Sequence, residues 1–73
     1  MSDVLEPVEI VLNGAPHQVT VGTTIAELLQ TFGLNRTGVA VAVEGQVVPR
    51  SQHDRSPLVA GQRVEVVQAV GGG

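Results

Sequence analysis

The chain has 73 residues and a mass of 7.6 kDa, which suits one small domain with one core and leaves no room for a cofactor domain. Seven acidic residues against four basic ones give a net charge of −3, and the only aromatic residue is one Phe. Nucleic acid is therefore a poor partner, because the chain lacks both a basic surface and stacking platforms. Cysteine and lysine are absent, which excludes disulfides, thiolate chemistry and Schiff bases.

Membrane and secretion signals are missing from the sequence. The longest apolar run, residues 39–43, is far shorter than the roughly 18 residues needed to span a bilayer. The first seven residues include two acids and no cationic region of the kind that opens a secretory signal. We therefore predict a cytoplasmic protein with no membrane contact.

The first predicted elements form a β-hairpin. Val8, Ile10 and Leu12 alternate with other residues at the period of a half-buried strand. Asn13-Gly14 then favours a two-residue turn with positive φ angles, and residues 18–21 can return as the second strand. Residues 1–7 precede this pattern, and we expect them to form a flexible N-terminal extension.

A short amphipathic helix is predicted next. Thr24 and Glu27 have the spacing of a capping box, in which each side chain binds the backbone N–H of the other residue. Gly33 fits the left-handed position that often follows a last helical turn. Four apolar residues fall at offsets 0, 3, 4 and 7 and share one face: Ile25, Leu28, Leu29 and Phe32.

Three further strands complete the pattern. Residues 39–43 alternate large and small apolar side chains, and we expect this strand to be covered on both faces. Residues 46–48 are ended by Pro49, and residues 51–61 are predicted to be a polar, irregular connection. Residues 63–69 are predicted to pair with the first strand. This order indicates an α+β fold of the β-grasp, or ubiquitin-like, type, with a mixed sheet of about five strands packed on one helix.

Side chains that could carry catalysis are sparse. Ser51, His53 and Asp54 are the residue types of a hydrolase triad, but neighbouring loop positions rarely converge on one proton path, so we predict a solvated loop. His17 and His53 show no metal-ligand spacing and are predicted to be surface histidines, with no metal site. Because no phosphate-binding glycine motif is present, any ATP would be bound by a partner protein.

The C-terminal glycines are the candidate reactive site. Residues 1–70 are predicted to form the single domain, and Gly71, Gly72 and Gly73 a flexible tail that reaches on the order of 10 Å. Glycines can enter a narrow channel because they lack side chains. The Gly73 carboxylate becomes a good acyl donor once it is coupled to AMP, and attack by sulfur would then give a thiocarboxylate. The alternative is an inert, frayed end.

Several segments resemble the sulfur-carrier family of thiamine biosynthesis. They are the turn at residues 13–14, the helix start at 24–29, the segment 42–50 with its Val-Pro-Arg step, and the end at 64–73 with its three glycines. The resemblance covers about residues 10–73. It implies a β-grasp carrier and not an enzyme: a protein-borne sulfur donor that acts as a cosubstrate of partner enzymes.

The resemblance also implies partners. An activating enzyme would adenylate Gly73 with Mg-ATP, and a sulfur donor such as a cysteine desulfurase or rhodanese would then supply the sulfur of the thiocarboxylate. Thiazole synthase would receive this sulfur for the thiazole of thiamine, while Gly72 guides the terminus. The carrier itself would bind no cofactor and would be a monomer when free.

Three alternatives stay open at this point. The small subunit of molybdopterin synthase uses the same terminal chemistry on another acceptor, although that family usually has a longer chain with more aromatic residues. A protein modifier would be joined through its terminus to lysines of other proteins. A plain interaction domain would bind through its sheet and carry an inert tail. Removal of Gly72 and Gly73 separates the interaction domain from every carrier.

A docking surface is predicted on the last strand. Val64 and Val66 share one face, so Val67 and Ala69 share the other, and we predict that these two form an exposed docking patch. The alternative is that both are part of the core. Arg50 is predicted to pair with an acidic partner surface.

Overall fold

The structure is a computed structural model that describes residues 6–34 and 37–68. Five strands, one α-helix and one 3-10 helix make up these ranges. In chain order they are β1 Pro7–Leu12, β2 Ala15–Thr20, α1 Ile25–Thr31, β3 Val39–Val43, β4 Gln46–Val48, the 3-10 helix Arg50–Arg55 and β5 Arg63–Gln68. The last strand was predicted to run to Ala69, which lies outside the described residues.

The five strands form one mixed sheet in the order β2-β1-β5-β3-β4. Strands β1 and β5 are neighbours, as predicted; they run parallel, whereas the other pairs are antiparallel. Because β5 comes last in the chain and lies at the centre of the sheet, it joins the two hairpins into one layer. This sheet packs on α1, so the predicted α+β fold of the β-grasp type is confirmed.

Both hairpins turn through two residues with positive φ. The angles are 50° and 84° at Asn13 and Gly14, and 52° and 82° at Glu44 and Gly45. A type I′ turn requires positive φ at both positions, and its twist matches that of the flanking strands. Since the turn uses only two residues, β2 begins at Ala15, earlier than the predicted residue 18.

Helix α1 begins as its sequence predicts. Thr24 Oγ1 accepts a hydrogen bond from Glu27 N at 3.2 Å, and Glu27 Oε1 accepts one from Thr24 N at 3.0 Å. The helix ends at Thr31, and Gly33 follows with a φ of 70°. No helix within the two described ranges is long and apolar enough to cross a membrane.

Phe32 differs from the other members of the predicted apolar stripe. It is 46% exposed, because it caps the helix and so lies beyond the turns that pack on the sheet. Its ring centroid lies 5.4 Å from that of His17 on β2. The remaining stripe residues contact the sheet and belong to a core of seven buried side chains: Ile10, Ile25, Leu28, Leu29, Val41, Leu58 and Val64.

The connection between β4 and β5 is more ordered than predicted. It contains the 3-10 helix and is tied to the start of α1 by two backbone hydrogen bonds, from Ile25 N to Ser56 O at 3.0 Å and from Leu58 N to Thr23 O at 2.8 Å. Leu58 is buried in the core. The prediction of a polar, irregular connection over residues 51–61 is therefore wrong, since these bonds join segments that are far apart in the sequence.

His53 is buried, which also corrects the sequence prediction. Only 6% of it is exposed, and its Nε2 donates a hydrogen bond to Val48 O at 3.0 Å. A buried imidazole is tolerated when its polar atoms have partners. The predicted surface location is wrong for His53, whereas His17 is half-buried.

The expectation that β3 is covered on both faces is wrong as well. Val41 is fully buried and Val39 and Val43 pack against the core, but Ala40 on the other face is exposed. Helix α1 and the buried Leu58 pack on the same side of the sheet. The opposite side of the sheet is therefore open, and we call it the open face.

Candidate functional site

Four apolar side chains, two of alanine and two of valine, lie together on the open face. Ala40 and Val67 are register partners across β3 and β5, and Ala42 and Val47 are register partners across β3 and β4. Side chains paired in this way have Cβ atoms about 4.5–5.5 Å apart. Val47 is 73% exposed and Val67 is 62% exposed. We call these four residues the apolar patch.

The sequence identified only part of this patch. Val67 is exposed as predicted, so the alternative that it is part of the core is wrong. Ala69 lies outside the described residues, and its place in a docking surface stays a prediction. Ala40, Ala42 and Val47 were missed as surface residues, although the small side chains of β3 already alternated with large ones. Their proximity to Val67 depends on strand register, which a single sequence does not reveal.

Charged groups limit the patch on one side. Glu65 is the register partner of Ala42 and is exposed. Arg63 is exposed at the start of β5, where its backbone N–H donates to Glu44 Oε2 at 2.7 Å. An apolar centre with a charged rim is the usual composition of a protein–protein contact surface.

Arg50 lies at the end of the sheet towards which β5 runs. Strands β4 and β5 are both antiparallel to β3, so they point in the same direction. The last residues of β4 and β5 pair with neighbouring parts of β3: Val48 with Val41, and Gln68 with Val39. Arg50 is exposed just after β4. The structure thus separates Arg50 from Val67 by one strand, at the end where the chain continues towards its glycines.

The predicted reactive residues, Gly71, Gly72 and Gly73, lie outside the described residues. They follow β5, whose last described residue is Gln68. Five residues can span at most about 18 Å, which limits how far Gly73 can reach from the end of β5.

The residues of the apparent triad do not form one. His53 is buried with Nε2 bonded to Val48 O, whereas Ser51 and Asp54 are exposed. A general base needs its nitrogen within hydrogen-bond reach of the nucleophile. In the two described ranges, no group of three or more His, Asp or Glu side chains is arranged to hold a metal ion.

Comparison with known proteins identifies one relative of similar length and two that are much longer than this chain. The sulfur carrier protein ThiS of Escherichia coli (strain K12) is 31% identical over 65 residues, which cover 89% of this chain and 98% of that protein. The thiazole synthase of Magnetococcus marinus is 38% identical over 65 residues, and that of Paramagnetospirillum magneticum is 29% identical over 65. The match covers 89% of this chain but only 20% of each thiazole synthase.

Structural comparison and the family model give the same result. The crystal structure of the thiamine biosynthesis protein (ThiS) from Geobacter metallireducens superposes with a TM-score of 0.73 at 28% identity, covering 90% of this chain and 100% of that one. The model of the ThiS family matches residues 10–73. The resemblance to the sulfur carriers of thiamine biosynthesis is thereby confirmed, and the chain belongs to the ThiS family.

Proposed function

We propose that this chain is a sulfur carrier whose Gly73 carboxylate is adenylated, converted to a thiocarboxylate and used as the sulfur donor for thiazole formation. The observation that carries the proposal is the extent of the ThiS family match. It runs from residue 10 through residue 73 and so includes all three glycines. The chain acts as a cosubstrate, and partner enzymes supply the catalytic groups.

The chemistry takes place in two steps on Gly73. A carboxylate oxygen first attacks the α-phosphorus of ATP, pyrophosphate leaves, and an acyl adenylate forms. In the second step the terminal sulfur of the donor's persulfide attacks the acyl carbon, and AMP leaves with the carboxylate oxygen. A thiol of the partner enzymes then cleaves the resulting acyl disulfide, which releases the thiocarboxylate and leaves a disulfide between that thiol and the donor cysteine. Mg-ATP is bound by the activating enzyme, in keeping with a cytoplasmic reaction. Glycine suits both steps because it presents no side chain to the partner's pocket.

Thiazole synthase is the client that we favour. Thiazole synthases of two organisms contain a segment similar to most of this chain, so a carrier-like segment and a thiazole synthase occur there in one protein. This arrangement supports a transfer of sulfur from this carrier to a thiazole synthase. It also favours thiamine biosynthesis over the molybdopterin acceptor.

The apolar patch is the surface that we propose for docking. Val67 and Val47 are the exposed large side chains at its two ends, and burying them against a partner would provide a favourable hydrophobic term. Arg50 lies at the end of the sheet where β5 ends, and there its side chain can pair with acidic groups near the partner's active site. Ala69 continues the alternation of Val67 and is proposed to extend the patch.

Intact-mass measurement tests the carrier chemistry directly. The protein is incubated with Mg-ATP, an activating enzyme and a sulfur donor, beside a variant that lacks Gly73 and keeps all described residues. We expect a mass increase equal to the replacement of one oxygen by sulfur, located on the C-terminal peptide and absent from the variant. No adduct, with an enzyme that is active on a control carrier, would refute the proposal.

The client is tested by a second incubation. The thiocarboxylated protein is offered separately to thiazole synthase and to the large subunit of molybdopterin synthase. We expect loss of sulfur from Gly73 only with thiazole synthase and its other substrates. Transfer to the molybdopterin enzyme alone would replace the thiamine assignment and leave the terminal chemistry intact.

A further inference from the structure

Strand β5 is held unequally by its two neighbours. On the β3 side, the register continues from Val64 to Gln68. On the β1 side, it covers only Arg63 and Val64, because β1 turns away into its hairpin after Leu12. Among the described residues, no strand therefore lies beside the last part of β5 on the β1 side.

The side chain of Asn13 occupies this position. Asn13 N continues the ladder by donating to Val64 O at 2.9 Å. Its side chain then binds the next peptide group of β5: Oδ1 accepts from Val66 N at 2.8 Å, and Nδ2 donates to Val66 O at 3.3 Å. If β1 continued beside β5 in a parallel ladder, a backbone C=O of β1 would bind the N–H of Val66, and a backbone N–H of β1 would bind its C=O. The amide of Asn13 replaces both of them.

We infer that Asn13 is a positioning residue for the carrier's terminus, an inference that rests on the proposed function. By holding Val66 on the β1 side, Asn13 fixes the strand close to the point from which residues 69–73 continue. Because β3 holds the other edge of β5 through Gln68, the strand is bound on both edges at Val66 and its direction is fixed there. Reaction at Gly73 requires its carboxylate to be held near the α-phosphorus of ATP, so a firmer attachment raises the rate of that step.

Glu44 provides a matched comparison within the same molecule. It is also the first residue of a two-residue turn with positive φ, and its side chain also binds β5. Its bond reaches Arg63 N, at the start of the strand, whereas that of Asn13 reaches Val66 near the end. Both side chains thus bind the backbone of β5, Glu44 through one hydrogen bond near the start of the strand and Asn13 through two near its end.

Two glycine variants separate these roles. Asn13→Gly removes two side-chain hydrogen bonds to β5 and Glu44→Gly removes one. Glycine accepts the positive φ of both turns, so both proteins should fold. The rate of ATP–pyrophosphate exchange by the activating enzyme is measured against carrier concentration. For Asn13→Gly we expect kcat to fall about three- to tenfold. Its KM should change less than about twofold, because the apolar patch does not involve Asn13.

Hydrogen exchange in the free protein provides an independent readout. The Val66 amide should exchange faster in Asn13→Gly than in the wild type, and Glu44→Gly should leave it unchanged. Glu44→Gly should also keep kcat near the wild-type value, since the end of β5 is still held by Asn13.

The outcomes distinguish the two proposals. If the wild type is adenylated and Asn13→Gly has the same kcat, the positioning role is wrong and the carrier function stands. An equal fall in kcat for both glycine variants would also overturn the positioning role, because it would reflect general loosening of β5. If the wild type is not adenylated at all, the carrier function fails, and the inference fails with it.

Discussion

The two faces of the sheet use the same residue type for opposite purposes. Val41 on β3 is 1% exposed and packs against the core, whereas Val47 on the neighbouring β4 is 73% exposed. Val64 and Val67 of β5 differ in the same way, since Val64 is fully buried and Val67 is exposed. Hydrophobicity alone therefore does not separate residues that stabilise the fold from residues available to a partner.

The difference has a physical origin in how the second layer is placed. Helix α1 and Leu58 both cover the same side of a sheet that is one layer thick. Buried apolar area contributes to folding, while exposed apolar area contributes only when another surface covers it. Because only one face of the sheet stabilises the fold, we expect substitutions on the two faces to affect different measurements.

The largest expected effect compares one substitution on the two faces. Val41→Ala removes buried methyl groups and leaves a cavity, so the free energy of unfolding should fall by about 2–3 kcal/mol. Val47→Ala on the open face should change it by less than about 0.5 kcal/mol. Chemical denaturation of both variants measures this. Equal losses would mean that the open face is covered within the free protein.

A charge on the open face should weaken docking without unfolding the protein. For Val67→Glu we expect Kd for the activating enzyme to rise roughly thirtyfold, about 2 kcal/mol, because the partner would have to bury an unpaired carboxylate. Titration calorimetry measures the change. Val59→Glu, at a residue that is 57% exposed outside the sheet, is the matched control and should bind normally. Wild-type affinity for Val67→Glu would remove the apolar patch from the docking surface.

His53 tests whether the buried core extends into the connection between β4 and β5. His53→Ala removes a buried ring and the hydrogen bond to Val48 O, and should lower the free energy of unfolding by about 1–2 kcal/mol. Asp54→Ala changes the exposed neighbour on the same 3-10 helix and should stay within about 0.5 kcal/mol. Thermal or denaturant unfolding compares the two. If both variants match the wild type, His53 adds nothing to the core.

The smallest expected effect concerns Arg50, at the end of the sheet towards which β5 runs. Arg50→Ala should raise Kd for the activating enzyme by about two- to fivefold at low salt, and the difference should shrink as salt is added. Arg55→Ala, exposed at the other end of the 3-10 helix, serves as the control and should bind as the wild type does. The same loss for both arginines would indicate a general charge effect and no specific contact at Arg50.

Local signals were sufficient for several elements of this fold. Asn13-Gly14 predicted the first hairpin because only a few residue types tolerate its positive φ angles. Thr24 and Glu27 predicted the helix start because their partners lie three residues apart. The prediction that residues 51–61 are a polar, irregular connection failed, because Leu58 N and His53 Nε2 have hydrogen-bond partners outside that segment.

The candidate site was likewise predictable from the sequence only in part. The terminal glycines and the shared face of Val67 and Ala69 follow from the sequence, because the first is a matter of composition and the second of strand alternation. The patch that surrounds Val67 does not follow, since Ala40 and Val47 come from other strands and meet only through register.

The sequence by itself determined the order of the strands and the α-helix, and it led to the hypothesis that Gly73 is the reactive residue. Only the tertiary structure decided which valines are free and what Asn13 does with its side chain. The physical reason is that a local hydrophobic pattern shows which residues share one face of a strand or helix. It does not show which distant part of the chain covers that face. The partner of Asn13 is Val66, 53 positions away in the sequence, and no local pattern predicts that contact.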